Sequence, residues 1–264
     1  MHEGRLVFAE LMDLVPKPAF RRCVGRYHRG RRVRRFSYGD PFLCMVFAQL
    51  TFRESLRDIE TCLRAVPSRR YHAGIRGNVS RSTLAEANER RDWRIYADFA
   101  QVLIAEARSL YADEPWPGNL SQAVYALDAT TIDLCLTLFP WAPFRRHKSA
   151  VKPHTLIDMR GNIPTLIRIS SGKMHDTGVL DEWVIEPGAF YPMDRGCIDF
   201  GRLHRFEVEK AFFVTRAKKN MDYTRRTSAT ATQDARDAGV RSDQTIKLHG
   251  PKTATLYPEP LRRI

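Results

Sequence analysis

A proline-rich break, Glu114-Pro115-Trp116-Pro117-Gly118, divides this chain into two halves with different apolar periods. Before it, apolar residues recur at three- and four-residue spacing. After it, they gather in short β-branched and aromatic runs. One pattern cannot serve both helix and strand, so the sequence predicts a helical part followed by an α/β part. The 264 residues are enough for one large domain or two smaller ones, each with a core of its own.

The helical half can be read in pieces. Asp40-Pro41 is a good cap and first-turn pair ahead of the apolar stretch Phe42 to Leu50. Leu56, Ile59, Leu63 and Val66 share one helix face, and Pro67 closes it. Gly74, Gly77 and Asn78 predict a loop, after which Ser80 or Ser82 can cap a polar helix carrying Arg81, Arg90 and Arg91. A longer helix over Trp93 to Tyr111 buries Ile95, Phe99, Val102, Leu103 and Ala107. Short helix, glycine loop and short polar helix resemble a helix-turn-helix, with plain helical packing as the alternative.

Charge narrows the partners. The formal net charge is +13, which points to a polyanion, nucleic acid first and a membrane surface second. From Lys17 to Arg35 there are nine basic residues and no acid. Gly25, Tyr27, His28 and Gly30 interrupt the run, so it reads as an exposed arm and not a long helix. Arg31, Arg32, Arg34 and Arg35 are its densest part. Such an arm suits phosphate contacts, or it is a solvated basic linker.

Other classes are excluded more simply. The longest apolar run is too short to span a bilayer, which needs about 20 residues. His2, Glu3 and Arg5 lack the apolar stretch of a signal peptide behind them. Five scattered cysteines without a Cys-x-x-Cys pair support neither a disulfide framework nor a zinc site. The expected compartment is the reducing cytoplasm, beside the nucleoid if the partner is DNA.

Beyond the break, strands are predicted over 123–128, 132–138, 154–158, 164–169, 190–193 and 211–215, with helices over 179–185 and 200–209. The order implies a mixed sheet that starts antiparallel and continues parallel. Two aspartates end apolar strands: Asp128 after Val124-Tyr-Ala-Leu, and Asp194 after Phe190-Tyr-Pro-Met. A carboxylate at such a place needs a partner. Hard oxygen ligands suit Mg²⁺ or Mn²⁺, and two metals about 4 Å apart support in-line displacement at phosphorus. A turn or helix cap is the other reading of each.

Six segments then occur in order: Tyr125-Ala-Leu-Asp-Ala-Thr-Thr-Ile-Asp, Val151-Lys-Pro-His-Thr-Leu-Ile-Asp, Gly161-Asn-Ile-Pro, Gly172-Lys-Met-His-Asp, Gly188-Ala-Phe-Tyr-Pro-Met-Asp-Arg-Gly-Cys-Ile-Asp-Phe, and Ala211-Phe-Phe-Val-Thr-Arg-Ala-Lys-Lys-Asn. The set resembles the DDE transposases of bacterial insertion sequences, in the branch with a Tyr-x2-Arg-x3-Glu-x6-Lys signature. The resemblance implies a ribonuclease H-like catalytic domain, two divalent metals, Mg²⁺ or Mn²⁺, and cleavage and transfer of strands at the double-stranded ends of a transposon. Asp128 matches the first catalytic carboxylate and metal ligand, and Asp194 the second. Lys148, Lys152, His154, Arg195 and Arg216 lie near them in sequence as candidate phosphate contacts. The implied organisation is a basic arm over 1–39, a helical DNA-binding region over 40–114, the catalytic domain over 122–220, and the start of a β-rich insertion over 221–264.

Three departures accompany the resemblance. Cys197 replaces the usual aromatic after Asp194-Arg-Gly, and Pro153 replaces an apolar residue on a strand expected at the sheet edge. The Tyr-x2-Arg-x3-Glu-x6-Lys signature does not occur, so no third catalytic Glu is assigned. Glu207 and Glu209 come too early for it, and Glu259 lies between prolines. The expectation is a transposase chain truncated within the insertion and inactive alone, with Leu248, Leu256, Tyr257 and Leu261 poorly covered. The rival is a non-catalytic DNA-binding fragment, an inhibitor or pseudogene product, that pairs with itself or with full-length transposase.

Overall fold

The computed structural model describes residues 6–28, 33, 36–112, 120–134, 143–145, 148–174 and 176–264. They form two units, Met1–Glu106 and Ala107–Ile264. Arg31, Arg32, Arg34 and Arg35 lie outside the described residues, as does the side chain of Lys148.

The first unit is helical: α1 (Val7–Asp13), α2 (Lys17–Tyr27), α3 (Gly39–Leu50), α4 (Leu56–Ala65), α5 (Pro67–His72), α6 (Arg81–Arg90) and α7 (Arg94–Leu110), the last running past the unit boundary. Ser55 caps α4 by accepting from the Asp58 N–H, and Ser80 caps α6 by accepting from the Thr83 N–H. Each satisfies an orphan donor of the first turn. Gly74 and Gly77 take left-handed φ values of 81° and 75° in the loop between α5 and α6. Asp40, expected as a cap, stands in the first turn of α3 instead.

The basic stretch departs from expectation. From Lys17 to Tyr27 it is a helix, not an extended arm. Pro18 sits in the first turn, where no backbone donor is lost. Ala19 and Cys23 are buried with Ile95 and Phe99, and Phe20 packs edge-on to Phe99 at 5.1 Å. Gly25 has nothing within 4 Å of where a Cβ would stand. A solvent-facing glycine costs about 1 kcal/mol, which burial of the aromatic face outweighs.

The second unit carries β1 (Tyr125–Ala129), β2 (Ile132–Leu134), β3 (Pro143–Arg145), β4 (Lys148–Asp158), β5 (Ile163–Ser171), α8 (Asp176–Val179), β6 (Phe190–Met193), α9 (Phe200–Val208) and β7 (Phe212–Thr215). The sheet runs β2-β4-β1-β6-β7, with β3 and β5 also joined to β4. β1 is antiparallel to β4 and parallel to β6, and β6 is parallel to β7. This is the mixed sheet that the sequence implied. The predicted helix over 179–185 is only α8 continued by a 3-10 turn, Leu180–Glu182.

Pro153 does not lie on an edge strand. β4 pairs with β5 on one side and with β1 and β2 on the other. The Gly172 N–H donates to the Ala150 carbonyl, and the Thr130 N–H donates to the Pro153 carbonyl. By strand alternation the Pro153 nitrogen therefore faces the β1–β2 turn, where the ladder is already interrupted, and little is lost.

The last segment is better covered than expected. β8 (Tyr223–Ala229), α10 (Gln233–Asp237), β9 (Asp243–Leu248), α11 (Pro251–Leu256) and β10 (Leu261–Arg263) include a three-stranded antiparallel sheet, β10-β9-β8. Leu248 and Tyr257 belong to the same core as Tyr125, Leu127, Tyr191, Met193, Leu203 and Phe206. Tyr257 packs edge-on to His204 and Phe213. Leu261 packs against that core half-buried, and Leu256 alone of the four is exposed. The other face of the large sheet is open at β7, where Phe212 and Val214 are exposed and Phe212 stacks on Phe190 at 4.8 Å.

Candidate active site

Alternation along the strands decides which side chains meet. Tyr125 and Leu127 on β1, and Tyr191 and Met193 on β6, are buried in the core. Their neighbours therefore point to the opposite, open face. Leu127 pairs in parallel with Met193. The next residue after each is an aspartate, Asp128 on β1 and Asp194 just past the end of β6. Asp194 keeps extended backbone angles, φ −72° and ψ 158°, so the strand direction carries through it. The two carboxylates thus stand on neighbouring strands, on one face, at the carboxyl ends of both. Both are exposed.

Asp194 has a cationic neighbour. The Arg216 Nη2 donates to its Oδ1 at 3.1 Å from just beyond β7. That guanidinium, followed by the Arg195 backbone N–H, holds the Asp194 carboxyl below the usual range. Asp128 makes no ion pair with a described residue. A pair of exposed carboxylates, with one exposed arginine to displace, fits a hard divalent cation. Among the described residues no group of three or more His, Cys, Asp or Glu is placed to hold a metal.

The acids considered as a third ligand fall elsewhere. α9 connects two parallel strands, so it runs back antiparallel to them on the core face. Glu207 and Glu209 at its end lie at the opposite end of the sheet from Asp194. Glu207 accepts from the Tyr257 hydroxyl at 3.4 Å. Asp199 caps α9 and pairs with Arg202.

The expected phosphate contacts divide. Arg195 is exposed beside Asp194, and Arg216 binds Asp194 itself. Lys152 donates to the Met174 carbonyl at 3.3 Å. His154 is a correction: it is fully buried on the core side of β4, with Nε2 3.0 Å from the Ser170 hydroxyl. A buried imidazole offers no surface to DNA. In the helical unit, Arg81 is exposed and Arg90 pairs with Glu86. Arg91 donates to the Phe36 carbonyl and lies 4.3 Å over the Tyr38 ring, holding the loop before α3. Lys218, Lys219 and Asn220, in the last of the quoted segments, also stand beside Asp194 and Arg195. Their signal is position, two lysines in the turn that follows a parallel strand.

Comparison with known proteins gives the family. Residues 120–259, more than half of the chain, match the family described as "Transposase DDE domain". The chain belongs to that family. This DDE-domain chain also matches, over residues 3–76, a domain of unknown function, DUF4372. It is 29% identical over 182 residues to "Putative transposase y4zB" of Sinorhizobium fredii, covering 69% of this chain and 49% of that protein. It is 26% identical over 122 residues to "Probable transposase for insertion sequence element IS5377" of Geobacillus stearothermophilus, covering 46% of this chain and 32% of that protein. The DDE-domain chain thus spans at most about half the length of these relatives. No solved structure matches it. No helix among the described residues is long and apolar enough to cross a membrane.

Proposed function

We propose that this chain is the end-binding and catalytic portion of an insertion-sequence transposase, with a ribonuclease H-like sheet presenting Asp128 and Asp194 to a divalent metal. The observation that carries the reading is the parallel register of Leu127 with Met193, each followed by an aspartate. Both relatives are named as transposases, which supports a reaction on DNA. The net charge of +13 suits a polyanionic partner of that kind.

Asp128 and Asp194 would hold the metal, Mg²⁺ or Mn²⁺, by carboxylate oxygens. Such a centre would supply activation of an attacking oxygen and, with a second ion, stabilisation of the leaving oxygen in an in-line phosphoryl displacement. Arg216 pairs with Asp194 and, being exposed, would be free to contact a phosphate if a cation took the carboxylate. The basic residues of the helical unit, with Arg31, Arg32, Arg34 and Arg35, contact phosphates without reading sequence. A further carboxylate, brought to the open sheet face, would complete the ligand set.

The test is localised cutting. The chain is loaded with Fe²⁺ and mixed with labelled duplex DNA, then ascorbate and peroxide are added. Radical cleavage confined to the bound site, lost in both Asp128→Ala and Asp194→Ala while DNA binding persists, supports the reading. Unchanged cleavage in either variant contradicts it.

A further inference from the structure

β6 and β7 are parallel, so the turns that follow them open at the same end of the sheet. One is the 3-10 turn Arg195–Cys197. The other is closed by the Met221 N–H, which donates to the Lys218 carbonyl at 3.1 Å. Between them lies a cavity of about 450 Å³ lined by Asp194, Arg195, Gly196, Lys218, Lys219 and Asn220. In open sheets the crevice beyond the carboxyl ends of parallel strands is where ligands bind.

The charge of this crevice is unbalanced. Three of its lining residues are cations, and its one acid, Asp194, already accepts from Arg216. None of Arg195, Lys218 and Lys219 makes an ion pair with a described residue. Among the described residues the Lys218 Nζ reaches the Ile198 carbonyl, at a long 3.5 Å. Arg195 acts on Asp194 by its charge and its backbone N–H, but two lysines without an ion pair to a described residue suit a ligand that brings its own negative charge. The three cations come from two turns on either side of the crevice, which suits a strand passing between them more than a compact anion. Lysine ammonium groups bind phosphate oxygens as point charges with rotatable donors, whatever the base sequence.

We propose that this crevice seats backbone phosphates of the DNA strand, with Lys218, Lys219 and Arg195 as its cationic contacts and Asn220 as a hydrogen-bond donor. The proposal rests on the reading that this site acts on DNA, and it adds the groups that hold the strand beside Asp194. The seat is assembled by the fold and needs no metal.

The experiment uses the whole chain and a fluorescent duplex in buffer free of divalent ions, so its result does not depend on the metal ligands. The slope of log affinity against log salt should fall by about two in Lys218→Ala/Lys219→Ala, at about 0.9 per lost phosphate contact on B-DNA. Lys218→Arg/Lys219→Arg should restore it, and Lys252→Ala on α11 should leave it unchanged. In wild-type protein, DNA should shield Lys218 and Lys219 from acetylation, read by mass spectrometry, while Lys252 stays reactive. An unchanged slope with both lysines freely acetylated overturns the proposal. So does equal shielding by inorganic phosphate alone, which would make the crevice a simple anion site. Shielding that persists in Asp128→Ala/Asp194→Ala supports the phosphate seat even if those acids fail to bind metal.

Discussion

Leu127 on β1 stands in parallel register with Met193 on β6, and the residue after each is an aspartate on the open face of the sheet. Two buried apolar partners thus align two carboxylates. The core fixes the site from below: Leu127 and Met193 pack with Tyr191 and Phe206, so neither strand can slip without turning its core residues out.

Tyr257 ties the last segment to that core. It is 1% exposed, with His204 and Phe213 against its ring. Tyr257→Ala should destabilise the second unit by about 3–5 kcal/mol, as large-to-small aromatic changes do. Tyr257→Phe removes only the 3.4 Å hydroxyl contact to Glu207 and should cost about 1 kcal/mol or less. Urea unfolding followed by tyrosine and tryptophan fluorescence separates the two.

Much of this was legible in the sequence. Short strands ending in Asp128 and Asp194 could be read from alternation, and Ser80 from capping chemistry. The helix at Lys17 was obscured because charge density and Gly25 hid the stripe of Ala19, Phe20, Cys23 and Tyr27. Coverage of Leu248 and Tyr257 was invisible because it comes from α11 packing on α9, residues about fifty positions apart. The burial of His154 depends on which face of β4 is inward, and Pro153 disguises that alternation.

Cys44 should be chemically silent in the folded chain. Its thiol is fully buried, and burial, with Asp40 nearby, pushes it up to about 12. At about pH 8 roughly one molecule in ten thousand would carry the reactive thiolate. Cys62 is only half-buried. Iodoacetamide labelling with peptide mass spectrometry should modify Cys62 before Cys44, and Cys44 only after denaturant is added.

Asp181 gives a pH-dependent contribution. Hydrogen bonds from Arg202, joined by the charge of Arg205, hold its carboxyl below the usual value. A depressed folded-state value means stability present above the ordinary carboxylate range and lost as pH falls through the folded value. The pair is about half exposed, so the effect at neutral pH should be under about 1 kcal/mol. Asp181→Asn should lower the melting temperature slightly at neutral pH, and the difference should vanish in acid.

The basic run predicts a salt effect. Replacing Arg31, Arg32, Arg34 and Arg35 with Ala should weaken duplex binding across all sequences and flatten its salt dependence by up to about four phosphate contacts. Fluorescence anisotropy at several salt concentrations reads this. Unchanged affinity would make the run a linker.

The central claim is that Asp128 and Asp194 share one cation. Mn²⁺ titration followed by electron paramagnetic resonance tests it directly, on wild type, Asp128→Asn, Asp194→Asn and the double variant. Each single change should weaken Mn²⁺ binding at least about tenfold, and the double change should add little, because groups that share one ligand are not additive. Two small, additive losses, or a loss in one variant only, would contradict a shared site.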